Sequence, residues 1–295
     1  SSISFSQTSM NMNLLGTYNY PNTEGSDIWG WADNTGNEYA LVTLQNGFSV
    51  VDVTNPSSPI EKFFISDLNS TWRDVKTWGN YAYVTTEADV GLLIVDLSDM
   101  SGNTYWRLTQ FTNPYNGSAI TFTAAHNIYI DEKGCVYLFG GNYSTGGALM
   151  FDISQDPVNP EYLGKFEDYY LHDGMVRGDT LWGSAIWEGV VAAIDVSDKS
   201  NPSILGSALT PNTFTHNAWI SDDGNPDINI IVSKKNNFKT KNTVNATVVK
   251  NKIKLHEDLL AEDIRRLKQL EDFERQCRHM EAPHWANEVA KLVRK

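Results

Sequence analysis

The chain has 295 residues, a mass of 33.0 kDa and a formal charge of −13. Hydrophobic residues at 41% and aromatics at 12% exclude disorder throughout, and the length suffices for one large domain or two smaller ones. Residues 1–230 carry 8 Lys/Arg against 27 Asp/Glu, whereas 231–295 carry 15 against 9, so an acidic body precedes a basic remainder. The acidic body excludes nucleic acid as main partner, because phosphate binding needs a basic footprint. No apolar run approaches the roughly 18 residues of a membrane-spanning helix.

Opening at Ser1 without a signal peptide, the chain reads as a processed form or a fragment. Its first regular feature is an Asp-terminated apolar run that recurs four times: Val50-Val51-Asp52-Val53-Thr54, Ile94-Val95-Asp96-Leu97-Ser98, Met150-Phe151-Asp152-Ile153-Ser154 and Ala193-Ile194-Asp195-Val196-Ser197. Gly47, Gly91 and Gly147 stand five positions before the Asp, and Gly189 six before the last. Asn-Pro follows at Asn55-Pro56, Asn159-Pro160 and Asn201-Pro202, and Leu-Gly recurs at Leu15-Gly16, Leu163-Gly164 and Leu205-Gly206. A carboxylate at a strand end accepts nearby backbone N–H groups, so Asp52, Asp96, Asp152 and Asp195 are expected to fix turns rather than do chemistry.

Upstream of each Asp run lies another β-branched or aromatic run, at residues 39–42, 81–84, 136–139 and 180–182. Further upstream, Asp27, Asp74, Asn127, Asp173 and Asn217 each open a strand, at successive spacings of 47, 53, 46 and 44 residues. About four strands per unit and a period in the mid-forties predict an all-β chain: a β-propeller-like array of four to five four-stranded blades. Two immunoglobulin-like sandwiches would also give short strands, but they do not require these landmarks in register. The repeat domain is expected over 1–230. Residues 228–232 and 247–255 have strand-like content for a fifth blade, and residues 14–18 are expected as its closing edge.

Several segments carry a family likeness: Leu92-Leu93-Ile94-Val95-Asp96 and its counterparts, Trp72-Arg73-Asp74-Val75, Ala125-His126-Asn127-Ile128, and Leu171-His172-Asp173-Gly174 through Arg177-Gly178-Asp179-Thr180-Leu181. Over about residues 10–222 the chain resembles the LVIVD-repeat proteins, specifically the choice-of-anchor B family. The resemblance implies an exported or surface-attached bacterial protein with a propeller-like domain, and no agreed catalytic activity. After about Asp222 the likeness stops, which leaves open a truncated repeat domain joined to unrelated sequence.

In that remainder, apolar residues from Leu255 to Met280 recur at steps of three and four, and Pro283 follows. The spacing predicts an amphipathic helical tail over 254–295. It packs on its own domain or drives self-association; its mixed polar face argues against a basic membrane-surface helix. Cys135 and Cys277 fall one in each region, which gives no disulfide framework.

Equivalent positions of successive propeller units form a ring at the channel mouth. That ring is expected to hold Asp27, Asp74, Asn127, Asp173 and Asn217, preceded by Ser26, Arg73, His126, His172 and His216. Three chemistries suit it. The carboxylates and amides match a hard cation such as Ca²⁺. The imidazoles of His126, His172 and His216 match a transition metal that activates water, with Asp74 or Asp173 as general base. Trp29, Trp72, Trp182 and Trp219 match a glycan, peptide or other polar ligand. A purely structural use, with Asp and Asn capping strands and each His bonding a neighbouring blade, competes with all three. No nucleophile elbow, phosphate loop or zinc-protease motif occurs.

Overall fold

The computed structural model describes residues 14–210 and 213–220, together with the backbone of two strands at 229–234 and 244–249. The expected helical tail and Cys277 lie outside the described residues, as does most of the 231–255 segment. Among the described residues there is no α-helix.

The strands form successive antiparallel meanders. Unit 1 is β1 (Gly25–Ala32), β2 (Glu38–Leu44), β3 (Gly47–Asp52) and β4 (Ile60–Ser66). Unit 2 is β5 (Val75–Trp78), β6 (Tyr81–Val84), β7 (Leu92–Asp96) and β8 (Tyr105–Leu108). A two-stranded hairpin, β9 (Gln110–Thr112) with β10 (Ala119–Thr121), precedes unit 3: β11 (Asn127–Ile130), β12 (Cys135–Phe139), β13 (Ala148–Asp152) and β14 (Glu161–Phe166). Unit 4 is β15 (Asp173–Arg177), β16 (Thr180–Ala185), β17 (Val190–Asp195) and β18 (Ser203–Leu209). The fifth sheet has three strands among the described residues: β19 (Thr215–Ile220), β20 (Asn229–Lys234) and β21 (Val244–Val249). Residues 14–18, expected as a closing strand, are irregular, and Gly16 lies against the Pro56 carbonyl with no room for a Cβ.

First strands of neighbouring units touch in series, β1 with β5, β5 with β11, β11 with β15 and β15 with β19. This is the blade arrangement of a propeller. Alternation along each strand then sends side chains into two different interfaces. In β7, Leu93 and Val95 join the core between units 1 and 2, while Leu92 and Ile94 join the core between units 2 and 3. In β12, Val136 and Leu138 face unit 2, and Tyr137 and Phe139 face unit 4. The sheets of units 2 and 3 are apolar on both faces because a neighbouring unit covers each face.

All four repeated aspartates fix turns, as their position at strand ends leads one to expect. Asp52 accepts from the Thr54 N–H at 3.0 Å, Asp96 from Ser98 at 2.8 Å, Asp152 from Ser154 at 2.7 Å and Asp195 from Ser197 at 2.8 Å. The preceding glycines have a steric reason: a Cβ at Gly47, Gly91 or Gly147 would lie 2.2, 2.3 or 2.1 Å from a carbonyl oxygen at the end of the fourth strand. Cys135 lies in the core between units 3 and 4, where burial pushes its thiol up to about 12 and leaves it unreactive.

Candidate functional site: the channel mouth

Each first strand begins opposite the end of the second, as in Asn127↔Phe139 and Asp173↔Ser184. Second-to-third-strand loops therefore emerge beside the first-strand starts and build one end of the array. Backbone bonds hold the two central histidines there: the His126 N–H donates to the Phe139 carbonyl and the His172 N–H to the Ser184 carbonyl, both at 2.9 Å.

Four rings from four successive units follow one another across this end. Trp72 and His126 have centroids 5.8 Å apart, His126 and His172 4.0 Å, and His172 and His216 4.3 Å. Beneath them Asp173 is buried, with its Oδ2 3.2 Å from His172 Nδ1 and 3.4 Å from His216 Nδ1. The contact with His172 lacks the alignment of a hydrogen bond. Burial pushes the Asp173 carboxyl up, but the two histidines outweigh it and hold the carboxyl well below its ordinary range. His126 Nδ1 is bonded to Glu87 Oε1 at 2.6 Å.

The other carboxylates of the ring are already engaged. Lys76 Nζ sits 2.6 Å from Asp74 Oδ1 and 3.8 Å from Asp27 Oδ2, with its charge 4.5 Å over the Trp29 ring. Asp74 also accepts from the Val75 N–H at 2.7 Å, the Ile128 N–H of the next unit at 3.3 Å and the Asn127 side-chain amide. Asp27 accepts the Val75 N–H at 3.4 Å. These two aspartates thus staple first strands together, as the structural reading expects. Asp27, Asp74 and Asp173 do not converge: among the described residues, the group of three able to hold an ion is His126, His172 and Asp173, with ligand atoms all within 4.8 Å of one another. His216 stands outside that group.

Arg73 is buried and committed to Asp67 at 2.8 Å and to the Leu68 carbonyl, a structural position. Asn217 lies beside a register shift in β19. Of the four tryptophans expected to offer faces, only Trp72 is exposed, at 52%. Trp29 donates to Thr77 Oγ1 at 3.2 Å, Trp182 packs on Val191 and Ala218, and Trp219 meets Tyr129 edge-on. Two further residues stand at this end of the array without a sequence motif to mark them: Glu87, and Trp187, which is 72% exposed beside Tyr170. Both sit in second-to-third-strand loops, and counting from the end of each second strand locates them.

The LVIVD repeat model matches residues 35–67, 71–104 and 185–210. The chain thus carries LVIVD repeats at three stretches, within a propeller-like fold. The unit spanning β11 to β14 lies between matched stretches yet has the same four strands and the same Asp turn. No curated protein sequence matches the chain. Among solved structures it is similar to a putative 6-phosphogluconolactonase from Bacteroides uniformis ATCC 8492, at 12% identity over 74% of this chain and 68% of that one, with a TM-score of 0.52. It is also similar to hydrazine synthase of Kuenenia stuttgartiensis (12%, 72% and 60%, 0.50). A third is PorZ, a bacterial surface component of the type-IX secretion system of Porphyromonas gingivalis (17%, 77% and 33%, 0.51). At such identities the likeness is one of fold, and the chain spans only a third of the PorZ structure.

Proposed function

We propose that this chain is an exported or cell-surface repeat module of the choice-of-anchor B kind, without catalytic activity, that binds a ligand or protein partner at the channel mouth. The observation that carries the reading is the row Trp72, His126, His172 and His216, one ring from each of four successive units, on a floor formed by Asp173. Exposed Trp72 and Trp187 offer flat apolar faces, and the imidazoles offer hydrogen bonds, the combination that suits a glycan or a peptide. Location rests on the family resemblance and on the acidic repeat body.

Tryptophan fluorescence titrated against panels of soluble glycans and extended peptides tests the binding. Trp72→Ala is expected to weaken the best ligand about tenfold or more, on the order of 1.4 kcal/mol, with an unchanged circular dichroism spectrum. A ligand bound equally by Trp72→Ala and Trp187→Ala places the binding elsewhere and defeats the reading. The convergence of His126, His172 and Asp173 favours a second reading, a metal-dependent enzyme. Turnover of a bound ligand, absent in His172→Ala, separates it from the first.

A further inference from the structure

We infer that His126, His172 and Asp173 form a binding site for one divalent transition metal ion of the zinc class, with Glu87 and His216 as positioning residues. This rests on the mouth being the binding end of the module. Two imidazoles and one carboxylate are a recognised donor set for zinc and its neighbours. The three ligand atoms already lie within 4.8 Å of one another. Ligands about 2.1 Å from a tetrahedral ion stand about 3.4 Å apart, a closure that small side-chain rotations supply.

The surroundings match a metal site more closely than an accidental cluster. Glu87 holds His126 Nδ1, which leaves Nε2 as the free nitrogen of that ring; a carboxylate behind a ligating histidine is the usual orienting partner. His216 Nδ1 stands 3.4 Å from the carboxylate that would ligate and supports it in the same way. Asp173 is 4% exposed, and His172 Nδ1 faces it at 3.2 Å without an aligned hydrogen bond. An ion bound by both groups satisfies two lone pairs that a single shared proton satisfies poorly. The ligands come from the starts of adjacent first strands, rigid positions that preorganise the set. A hard cation is not the match, because Asp27 and Asp74 are taken by Lys76 and Glu87 by His126, which leaves Asp173 as the one ring carboxylate beside two imidazoles.

The test uses the full chain after dialysis against a chelator, titrated with Zn²⁺ by calorimetry and with Co²⁺ by visible absorption. One equivalent of each is expected, with cobalt bands typical of nitrogen and oxygen ligands. His172→Ala and Asp173→Asn should weaken binding at least 100-fold. Glu87→Gln and His216→Gln should weaken it about 10- to 100-fold, and Asp27→Asn should leave it unchanged. Where His172→Ala does not fold, His126→Gln, which keeps a polar side chain of similar size, replaces it. A folded wild-type protein that takes up no stoichiometric metal overturns the inference, as does binding that survives His126→Gln together with Asp173→Asn. Ligand binding at the mouth without metal binding would defeat this inference and leave the proposed function standing; metal binding with no ligand found would do the reverse.

Discussion

Asp27 and Asp74 occupy equivalent places in units 1 and 2, and one lysine lies between them. Burial and the Asp74 charge push the Asp27 carboxyl well above its ordinary range, against the pull of Lys76. For Asp74 burial acts in the same direction, but Lys76 and the surrounding donors outweigh it and the carboxyl is held low. The signs of linkage are therefore opposite. Asp27 costs stability as pH rises above the unfolded carboxylate value of about 3.9, whereas Asp74 contributes stability above that value and loses it as pH falls through its lower folded value. Asp27→Asn, which retains an acceptor for the Val75 N–H, is expected to raise Tm near pH 7, with the gain vanishing towards pH 3. Asp74→Asn should lower Tm near pH 7, the deficit shrinking in acid. Thermal unfolding between pH 3 and 8 checks both, and a lower Tm for Asp27→Asn at neutral pH would show that its charge anchors the mouth. Sequence reveals that these aspartates share a ring position, because spacing alone assigns that. The period of two along β5 puts Lys76 on the same side as Asp74, but its second partner, Asp27, belongs to the neighbouring unit and is not visible in sequence. The exposure of the tryptophans is hidden in sequence for a related reason: three of the four lie on strands, where packing against the next unit decides it.

At the scale of the element, the motif of glycine, apolar run and aspartate describes the whole third strand. Its Asp end was legible as a turn, because the side-chain chemistry is local. Its Gly end was visible only as a recurrence, since the carbonyl that excludes a Cβ belongs to the fourth strand. Gly91 and Gly79 separate these causes. Both have left-handed backbones, at φ +73° and +55°, but a Cβ at Gly91 would lie 2.3 Å from the Leu108 carbonyl, whereas at Gly79 it meets nothing within 4 Å. Gly79→Ala is expected to cost about 1 kcal/mol from backbone strain, and Gly91→Ala on the order of 3 kcal/mol, since the β7–β8 pairing must also move. Urea unfolding of both variants gives the comparison, and equal losses would remove the steric explanation. The β9–β10 hairpin was not legible, because strands of three residues in a Thr- and Asn-rich stretch carry no periodic signal. Its trace in the sequence is the spacing of 53 between Asp74 and Asn127, longer than the other intervals. Phe111 of that hairpin stacks on Tyr162 of β14 at 4.7 Å and joins the core between units 2 and 3.

For the molecule as a whole, the consequence is that no unit owns a core. Ile94 belongs to unit 2 by chain and to the interface with unit 3 by packing, together with Ile128, Val136 and Phe151. The period in the sequence announces this in outline, since a single sheet with two apolar faces must be covered twice. Which residues meet across the interface depends on the rotation between blades, and one sequence does not encode that visibly. The same geometry bears on cooperativity. In a stacked array each unit draws stability from its neighbours, so loss at one interface is transmitted through the series. Ile94 is fully buried, and Ile94→Ala is expected to cost about 2–5 kcal/mol. Far-UV circular dichroism, which reports all the sheets, and fluorescence, whose strand tryptophans lie in units 1, 2, 4 and 5 among the described residues, should both shift to the same lower midpoint. Separate midpoints would mean that some units keep their structure when the interface of units 2 and 3 is opened, and that the array is a row of autonomous sheets. Coincidence is the outcome that the shared cores require, because removing unit 2 from unit 3 uncovers Leu93 and Val95 no less than Leu92 and Ile94 once the sheet between the two interfaces melts.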